Sequence, residues 1–340
     1  MTEIKRCTQT DLKSVMNFLH DYWAKDHVLA KHHGLMEWQH ADENHSGMYN
    51  WLIAVDDEGI QGVIGFIPTS KFDQALSEKP LTWLALWKIR PEPKNRGLGL
   101  KLLNTLVQTE AMGVIAVQGI NPQHPVMYRA LGYFTGALSQ HFVCNPNKTQ
   151  SLLVVPKDLE LPVPLKGKAV MKELKAKDLA SIVLAPFDLK VPLKTPLYFL
   201  NRYLIHPVYT YKVFEVLLQG ISIAIIATRV AESGTTKVLR IVDFLGSEVA
   251  LSECGTAIGI LMSENNCEYA DFWQYGLAED ILGASGFRRV HFGGEVIVPN
   301  FFEPFLQQNA QIEFAIKGLK GEKLAIFRGD GDQDRPNRVM

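Results

Sequence analysis

A basic, glycine-containing hexapeptide, KNRGLG at residues 94–99, has the composition of an anion-binding loop. It follows a strand-like apolar segment and opens a helical pattern, and the first four N–H groups of a helix lack intrahelical acceptors. The helix dipole adds about half a positive charge at that end. Gly97 and Gly99 allow a bulky anion to approach the backbone, and Lys94 and Arg96 add charge at the rim. The pattern predicts a pyrophosphate cradle, and the alternative is a glycine-capped turn that binds nothing.

Two other classes of phosphate loop are excluded by the spacing. A Walker loop needs Gly-Lys-Ser/Thr, whereas Gly99 is followed by Leu-Lys-Leu. A dinucleotide fingerprint needs a third glycine three residues later, and that position is Leu102.

A tyrosine downstream of the loop has chemistry that suits the departure of a thiol. Residues 121–134, NPQHPVMYRALGYF, place Tyr128 on a short helix after a predicted strand at 114–120. A phenol with a pKa of about 10 is protonated at neutral pH and can donate to a thiolate whose pKa is about 8.5. The alternative is a packed aromatic side chain on a core helix.

The run IRPEPKNRGLGLKLL at 89–103 resembles the [QR]xxGx[GA] loop of the GNAT N-acyltransferases, with Lys94 where that family usually has Gln or Arg. The strand, Asn121 and the helix that carries Tyr128 follow in the family's order. This resemblance implies an acyl-coenzyme A cosubstrate, with its pyrophosphate on the amides of residues 95–100. It also implies that Tyr128 protonates the departing thiolate.

The resemblance further implies that the pantetheine arm pairs with the strand before the loop, where a strand amide near Trp87 stabilises the oxyanion. Trp87 and Tyr128 are therefore the predicted catalytic positions. The predicted coenzyme A contacts are Trp87, Lys88, Ile89, Lys94, Asn95, Arg96, Gly97, Leu98, Gly99, Leu100 and Asn121.

Four longer segments, at 18–40, 65–73, 202–214 and 329–337, resemble the double-GNAT sugar N-acyltransferases of surface-polysaccharide pathways. That resemblance implies that the acceptor is the amino group of a dTDP-linked amino-dideoxy sugar. Transfer of a 3-hydroxybutanoyl group to dTDP-3-amino-3,6-dideoxygalactose is one candidate reaction. Two alternatives stay open: a peptide or aminoacyl-tRNA-linked acceptor, and a non-catalytic module that binds acyl-CoA.

Candidate acceptor-binding residues occur in two aromatic and basic segments. Residues 18–45 hold six of the ten histidines, and residues 202–214 read RYLIHPVYTYKVF. The candidates are His27, Trp38, Arg202, Tyr203 and His206. Neither an HExxH nor a CxxC pattern is present, so no metal site is predicted. For most of these histidines, and for Arg202, an ordinary surface position is the competing interpretation.

The length of 340 residues predicts two domains, because single domains average about 150 residues. The order of elements repeats: MYRALGYF at 127–134 aligns with ILGASGFR at 281–288. We predict an α/β (α+β) protein of two tandem GNAT-like domains, each a mixed, mostly antiparallel twisted sheet flanked by helices. The predicted bounds are 1–150 and 165–328 around a proline-rich boundary, followed by a tail at 329–340.

The second copy lacks the features that point to chemistry in the first. Residues 243–260, DFLGSEVALSECGTAIGI, contain no basic glycine loop, and Leu282 occupies the position of Tyr128. One coenzyme A site is therefore predicted, in the first half, with the second half on the acceptor side. Binding and dimerisation form the alternative role for the second half.

The composition bounds the possible partners. Lys plus Arg number 35 and Asp plus Glu 36, so a net charge of −1 gives no general attraction to nucleic acid or anionic membranes. Four scattered cysteines and no signal-like N-terminus predict a reduced, cytoplasmic protein. Small-molecule substrates are the expected partners, and a homo-oligomer is left open.

Overall fold

The computed structural model describes residues 2–78, 81–109, 113–121, 123–179 and 181–335. The predicted tail therefore falls partly outside the described residues, at 336–340. The strands are β1 (Glu3–Thr8), β2 (Met48–Asp56), β3 (Gly59–Pro68), β4 (Leu81–Ile89), β5 (Val114–Ile120), β6 (Phe134–Ala137), β7 (Ser139–Cys144), β8 (Val170–Leu174), β9 (Lys212–Leu218), β10 (Ile221–Ser233), β11 (Thr236–Gly246), β12 (Cys267–Tyr275), β13 (Arg288–Arg289), β14 (Phe301–Phe302), β15 (Phe305–Leu306), β16 (Glu313–Lys317) and β17 (Ile326–Phe327).

Helices lie in six of the connections between these strands. They are α1 (Leu12–Tyr22), α2 (Val28–Lys31), α3 (His33–His40), α4 (Leu98–Thr109), α5 (Pro125–Ala130), α6 (Ala176–Leu179), α7 (Pro196–Phe199), α8 (Val249–Glu253), α9 (Gly255–Glu264) and α10 (Glu279–Ala284). In the described part of the chain, no helix is long and apolar enough to cross a membrane.

Backbone contacts divide the chain into two compact units. The first unit comprises Met1–Thr135, Phe314–Leu319 and Gly331–Met340. The second comprises Gly136–Glu313 and Lys320–Asp330. The sequence predicted the boundary in the proline-rich stretch at 145–167, but the second unit already begins at Gly136. It begins there because β7 pairs with a strand of the second sheet.

The first sheet has seven strands in the order β1-β2-β3-β4-β5-β16-β6. Strands β1 to β4 pair antiparallel, and β4 pairs parallel with β5. The second sheet has the order β13-β7-β12-β11-β10-β9-β8, with one parallel pair, β11 and β12. Two mixed sheets flanked by helices confirm the predicted fold class.

Two strands join a sheet that their place in the sequence did not predict. Strand β7 lies within the predicted first domain, 1–150, yet it pairs antiparallel with β12 in the second sheet. Conversely, β16, near the C-terminus, lies between β5 and β6 in the first sheet. Periodicity reports that a segment is a strand but does not report its partner.

Helix α4 positions the predicted loop by burying one apolar face. Its buried residues fall at helical spacing and pack on β2, β3 and β4. They are Leu98, Leu102, Leu103 and Leu106. Full burial of a leucine side chain contributes on the order of 1.5–3 kcal/mol, so this face fixes where α4 begins.

Candidate functional site

Strands β4 and β5 pair only at their first halves. The register runs from Leu81↔Val114 to Leu84↔Val117, although β4 continues to Ile89 and β5 continues to Ile120. A bulge lies in β4 at this point, because its register with β3 shifts between Ile64 and Phe66. Bulges are common beside functional sites, and this one accompanies an open gap in the sheet.

Hydrogen-bond alternation sets which β4 residues face the gap. The Arg90 amide donates to Gln61 O at 2.8 Å, and backbone groups of an antiparallel strand alternate in direction. Lys88 therefore directs its backbone toward β3, while Trp87 and Ile89 direct theirs toward the gap. The resemblance implied that Trp87, Lys88 and Ile89 all pair with the pantetheine arm. Only Trp87 and Ile89 have their backbone groups on the side of the gap.

The loop that follows β4 is a short turn joined to a left-handed glycine. Pro93–Asn95 form a turn of 3₁₀ helix, in which the amides of Asn95 and Arg96 donate to Glu92 O and Pro93 O at 3.0 and 3.3 Å. These two amides are thereby removed from the six predicted to bind the pyrophosphate. Gly97 follows with φ +82°.

The next four amides are available. In the described part of the chain, no acceptor is found for the backbone N–H groups of residues 97–100, and the Lys101 amide is the first to pair, with Gly97 O at 3.2 Å. An added Cβ at Gly97 would meet nothing within 4 Å among the described residues, so the space before these amides is open. A positive helix end with open space in front can accept an anion.

The charged side chains of the loop differ in availability. Lys94 Nζ lies 2.7 Å from Glu58 and 3.2 Å from Asp56, in the β2–β3 turn, and hydrogen bonding to Glu58 raises the pKa of Lys94 to about 12. Arg96 is exposed, and no ion pair is found for it among the described residues. Arg96 therefore offers more free charge to a ligand than Lys94 does.

The two asparagines of the predicted site make hydrogen bonds that hold the local backbone in place. Asn95 is buried, and its amide donates to Gln61 Oε1 at 3.0 Å and Arg90 O at 3.1 Å, which fastens the loop to β3. Asn121 Oδ1 accepts from the Gln123 amide at 3.0 Å, at the start of the turn into α5. Both contacts explain the residue types without a ligand.

Trp87 lines the start of α4 with its indole ring. An added Cβ at Gly99 would lie 3.1 Å from Trp87 Cζ2, so glycine lets the ring pack against the helix end. The Trp87 indole nitrogen is buried and has no hydrogen-bond partner among the described residues. A buried donor of this kind can be satisfied by water or by a ligand with acceptor oxygens.

Tyr128 packs in the same apolar cluster as the buried face of α4, and Trp87 and Ile89 border that cluster. Its ring lies 5.3 Å from the Tyr133 ring. Burial, and to a lesser extent Tyr133, raises the pKa of Tyr128, so the phenol keeps its proton at neutral pH. The loop, the strand that borders the gap and Tyr128 thus belong to one unit and meet at one apolar cluster.

The two acceptor candidates of the first unit lie on its helices. His27 is buried and caps α2, where Nδ1 accepts from the Leu29 amide at 3.3 Å. Burial, together with the charge of Arg335, lowers the pKa of His27 to about 3. Trp38 is half-buried on α3, with its ring 5.4 Å from that of Phe72.

The three acceptor candidates of the second unit make hydrogen bonds or ring contacts with residues of that unit. Tyr203 is buried and donates to Asp243 at 2.7 Å, and buried Arg202 donates to Gly329 O at 3.4 Å. The His206 ring stacks on Tyr209 and accepts two backbone amides. These contacts favour an internal role for Arg202 and Tyr203, since the helical turn at Leu200–Leu204 directs both inward.

The gap has a counterpart in the second sheet, and the protein fills it with its own chain. The register between β11 and β12 ends at Ile241↔Phe272, and β17 pairs with β12 beyond that point. The Gly329 amide then donates to Val242 O of β11 at 2.6 Å. Backbone positions that have no strand partner in the described part of the first sheet are therefore occupied here.

A cavity of about 500 Å³ borders this filled gap, at the start of α8. Its lysines are neutralised by carboxylates, so they present no surplus positive charge. The pairs are Lys190 with Glu248, Lys194 with Asp243 and Asp330, and Lys323 with Asp188. In this the cavity differs from the loop of the first unit, where Arg96 is exposed and has no ion pair among the described residues.

Sequence reasoning missed the C-terminal residues 331–335, which belong to the first unit. Asp332 and Asp334 are 3% and 1% exposed, whereas a charged terminus is usually solvated. The only sequence signal was the resemblance of the segment itself. Among the described residues, no group of three or more His, Cys, Asp or Glu is arranged to hold a metal ion.

No family model and no curated protein matches the chain. Among solved structures, a GCN5-related N-acetyltransferase from Anabaena variabilis aligns with a TM-score of 0.58 at 9% identity, over 93% of this chain and 72% of that one. A GCN5-related N-acetyltransferase from Kribbella flavida aligns with a TM-score of 0.53 at 14% identity, over 93% and 70%. The chain has the fold of the GCN5-related N-acetyltransferases.

Proposed function

We propose that the protein transfers an acyl group from acyl-coenzyme A to an amine. The observation that carries this proposal is the unpaired run of amides at residues 97–100, at the start of α4 and beside the gap between β4 and β5. The fold shared with N-acetyltransferases supports it.

The residues of the first unit fit coenzyme A. The amides of 97–100 would hold its pyrophosphate with help from Arg96 and the Trp87 indole N–H. The gap-facing backbone groups of Trp87 and Ile89 suit the amides of a pantetheine arm. When bound, acyl-coenzyme A supplies an activated thioester.

The chain contributes orientation and a proton to the reaction. A β4 amide beside the bulge near Trp87 donates to the carbonyl oxygen as negative charge develops on it. Tyr128, whose phenol stays protonated, donates its proton to the sulfur as the C–S bond breaks, and the proton that the attacking nitrogen loses restores the phenol. The four cysteines are buried, and burial raises the pKa of each thiol to about 12, so direct attack by the amine is favoured over a cysteine relay.

The acceptor in this proposal is the amino group of a dTDP-linked amino-dideoxy sugar. The resemblance of the segments at 18–40, 65–73, 202–214 and 329–337 supports it, and 3-hydroxybutanoyl transfer to dTDP-3-amino-3,6-dideoxygalactose is the most specific form. The internal contacts of Arg202 and Tyr203 do not support a direct role for them in binding this acceptor.

The test is release of free thiol from acetyl-CoA and 3-hydroxybutanoyl-CoA with a panel of dTDP-amino sugars. Turnover with one sugar amine and none with aminoacyl-tRNA or peptide amines is the expected result. Turnover only with a peptide or aminoacyl-tRNA would overturn the sugar assignment. Binding of acyl-CoA without turnover on any acceptor would instead identify a binding module.

A further inference from the structure

Strand β3 carries one residue more than β2 near the turn that joins them. Ala54 pairs with Gly62 and Val55 pairs with Ile60, so in the register of these described strands Gln61 has no residue opposite it. An extra residue of this kind is a β-bulge, which re-aims a side chain and is common next to functional sites. The bulge therefore frees Gln61 from the regular alternation of side chains along β3.

The Gln61 side chain is fully buried and joins the β2–β3 turn to the loop before α4. Its Nε2 donates to Asp56 Oδ1 at 2.8 Å, and its Oε1 accepts from Asn95 Nδ2 at 3.0 Å. The Gln61 backbone carbonyl accepts from the Arg90 amide at 2.8 Å, directly after β4. One residue of β3 therefore holds the chain on both sides of residues 91–94.

The carboxylate of Asp56 decides which way both side-chain amides point. An ionised carboxylate only accepts hydrogen bonds, so the NH2 group of Gln61 must face Asp56 and its oxygen must face Asn95. The NH2 group of Asn95 then donates to Gln61 and also to Arg90 O at 3.1 Å. Turning either amide over would place oxygen against oxygen, so the loop is held in one arrangement.

The next residue of β3, Gly62, fixes the helix that follows the loop. An added Cβ at Gly62 would lie 2.5 Å from Ile89 Cδ1 and 3.1 Å from Leu102 Cδ1, so β4 and α4 pack directly on the β3 backbone here. Asn95 and Leu102 lie on either side of the amides of residues 97–100, for which no acceptor is found in the described part of the chain. Strand β3 thus sets both ends of this run of amides.

Removing the Gln61 side chain would affect the loop more than the β2–β3 turn. Asp56 Oδ1 would still accept from the Glu58 amide at 2.9 Å. Among the described residues, the Asn95 amide would keep only the carbonyl oxygen of Arg90 as an acceptor. The side chain of Gln61 therefore serves the position of Asn95 and of the residues that follow it.

We propose that Gln61 is a positioning residue, which acts through Asn95 to set the amides of residues 97–100 for a pyrophosphate group. The proposal rests on the proposed function for the identity of that ligand. Because hydrogen bonds weaken steeply with misalignment, a small displacement of these donors is enough to weaken binding. The Gln61 side chain matters for the pyrophosphate part of coenzyme A and not for the pantetheine part, which the gap-facing groups of β4 would hold.

The test compares coenzyme A with pantetheine, which lacks the pyrophosphate, in calorimetric titrations. Gln61→Met keeps the length of the side chain and removes both of its hydrogen bonds, and it should weaken coenzyme A about tenfold with the pantetheine affinity unchanged. Asn95→Leu should have a similar effect, and the double variant should lose no more than the weaker-binding single variant, because one residue acts through the other. Additive losses, equal weakening of both ligands, or unchanged coenzyme A affinity in Gln61→Met would overturn the proposal.

Gln274→Met is the matched control. Gln274 is a buried glutamine of the second unit whose Oε1 accepts from the Leu277 amide at 3.0 Å, so its loss also removes a hydrogen bond that holds a turn. This variant should leave the coenzyme A affinity unchanged. A loss as large as that in Gln61→Met would show that removing any buried glutamine is sufficient, and it would overturn the proposal.

Amide hydrogen exchange in the free protein separates this proposal from the proposed function. Gln61→Met should speed exchange of the Asn95, Arg96 and Lys101 amides, whose acceptors lie at residues 92–97, and Gln274→Met should not. Unchanged exchange at these amides would overturn the positioning role even if the unmodified protein binds coenzyme A. Failure of the unmodified protein to bind coenzyme A would remove the acyltransferase function, and the exchange result would then decide the positioning role by itself.

Discussion

The gap between β4 and β5 and the corresponding gap between β11 and β12 have the same construction and opposite contents. Each follows a parallel strand pair whose register ends early, and each leads into a helix. Among the described residues, no strand fills the first gap, and the amides of residues 97–100 beside it have no acceptor. The second holds β17 and the Gly329 amide, so one copy of the repeat fills with its own chain the backbone positions that the other copy leaves for the proposed ligand.

A buried ion-pair network lies beside the filled gap of the second unit. Lys194, buried in the second unit, lies 2.5 Å from Asp243 and 2.9 Å from Asp330, just after the strand that fills the gap. Tyr203 donates to the same Asp243. Filling a gap with the protein's own chain thus takes a buried polar network, whereas an open gap needs only a bulge and a glycine turn.

The largest effect that would sharpen this comparison is expected at Tyr128, whose counterpart is the buried Leu282. Tyr128→Phe should lower kcat by about 10²- to 10⁴-fold, since it removes the proton donor, with little change in acyl-CoA affinity. Steady-state kinetics measure both. Tyr133→Phe, which alters the neighbouring ring, is the control, and equal losses in the two variants would indicate packing instead.

Removing the ion pairs of Lys194 beside the second gap should lower the stability of the protein and leave coenzyme A binding unchanged. Lys194→Met leaves two buried carboxylates without their cation and should lower the free energy of unfolding by about 3–5 kcal/mol. Denaturant unfolding measures this loss. The control Lys323→Met removes an exposed partner of Asp188 and should cost about 1 kcal/mol or less. Similar losses of unfolding free energy in both variants would contradict a stabilising role for the buried Lys194 network.

A negative charge in the loop beside the first gap should weaken coenzyme A binding. Gly97→Glu adds a carboxylate in front of the unpaired amides and should weaken coenzyme A by about 100-fold, measured by calorimetry. Gly234→Glu is the control, because Gly234 also has a positive φ and open space but lies in the β10–β11 turn. Retained affinity in Gly97→Glu would remove the loop from the account.

The smallest effect is expected at Lys94, despite its place in the motif. Because Glu58 and Asp56 neutralise it, Lys94→Gln should change coenzyme A affinity less than about threefold. Arg96→Gln removes a charge with no ion pair among the described residues, and it should cost more. The reverse order would show that the ion pairs of Lys94 open when the ligand binds.

The sequence was sufficient for local features and insufficient for partners across the fold. The glycine turn, the α4 amphipathic pattern and the helix of Tyr128 depend on neighbouring residues, so their spacing predicts them. The sheets that β7 and β16 join depend on pairing between distant strands, which periodicity does not report. Arg202 was a candidate acceptor-binding residue, with an ordinary surface position as the alternative, and its burial depends on tertiary contacts that the sequence does not report.

Amide hydrogen exchange with and without acetyl-CoA tests the central claim most directly, because that claim concerns backbone N–H groups. The account predicts new protection at residues 97–100 and at the gap-facing part of β4. It predicts no new protection at residues 246–251, where the second loop enters α8. Protection confined to the second unit, or unchanged exchange at 97–100 under saturating acetyl-CoA, would contradict it.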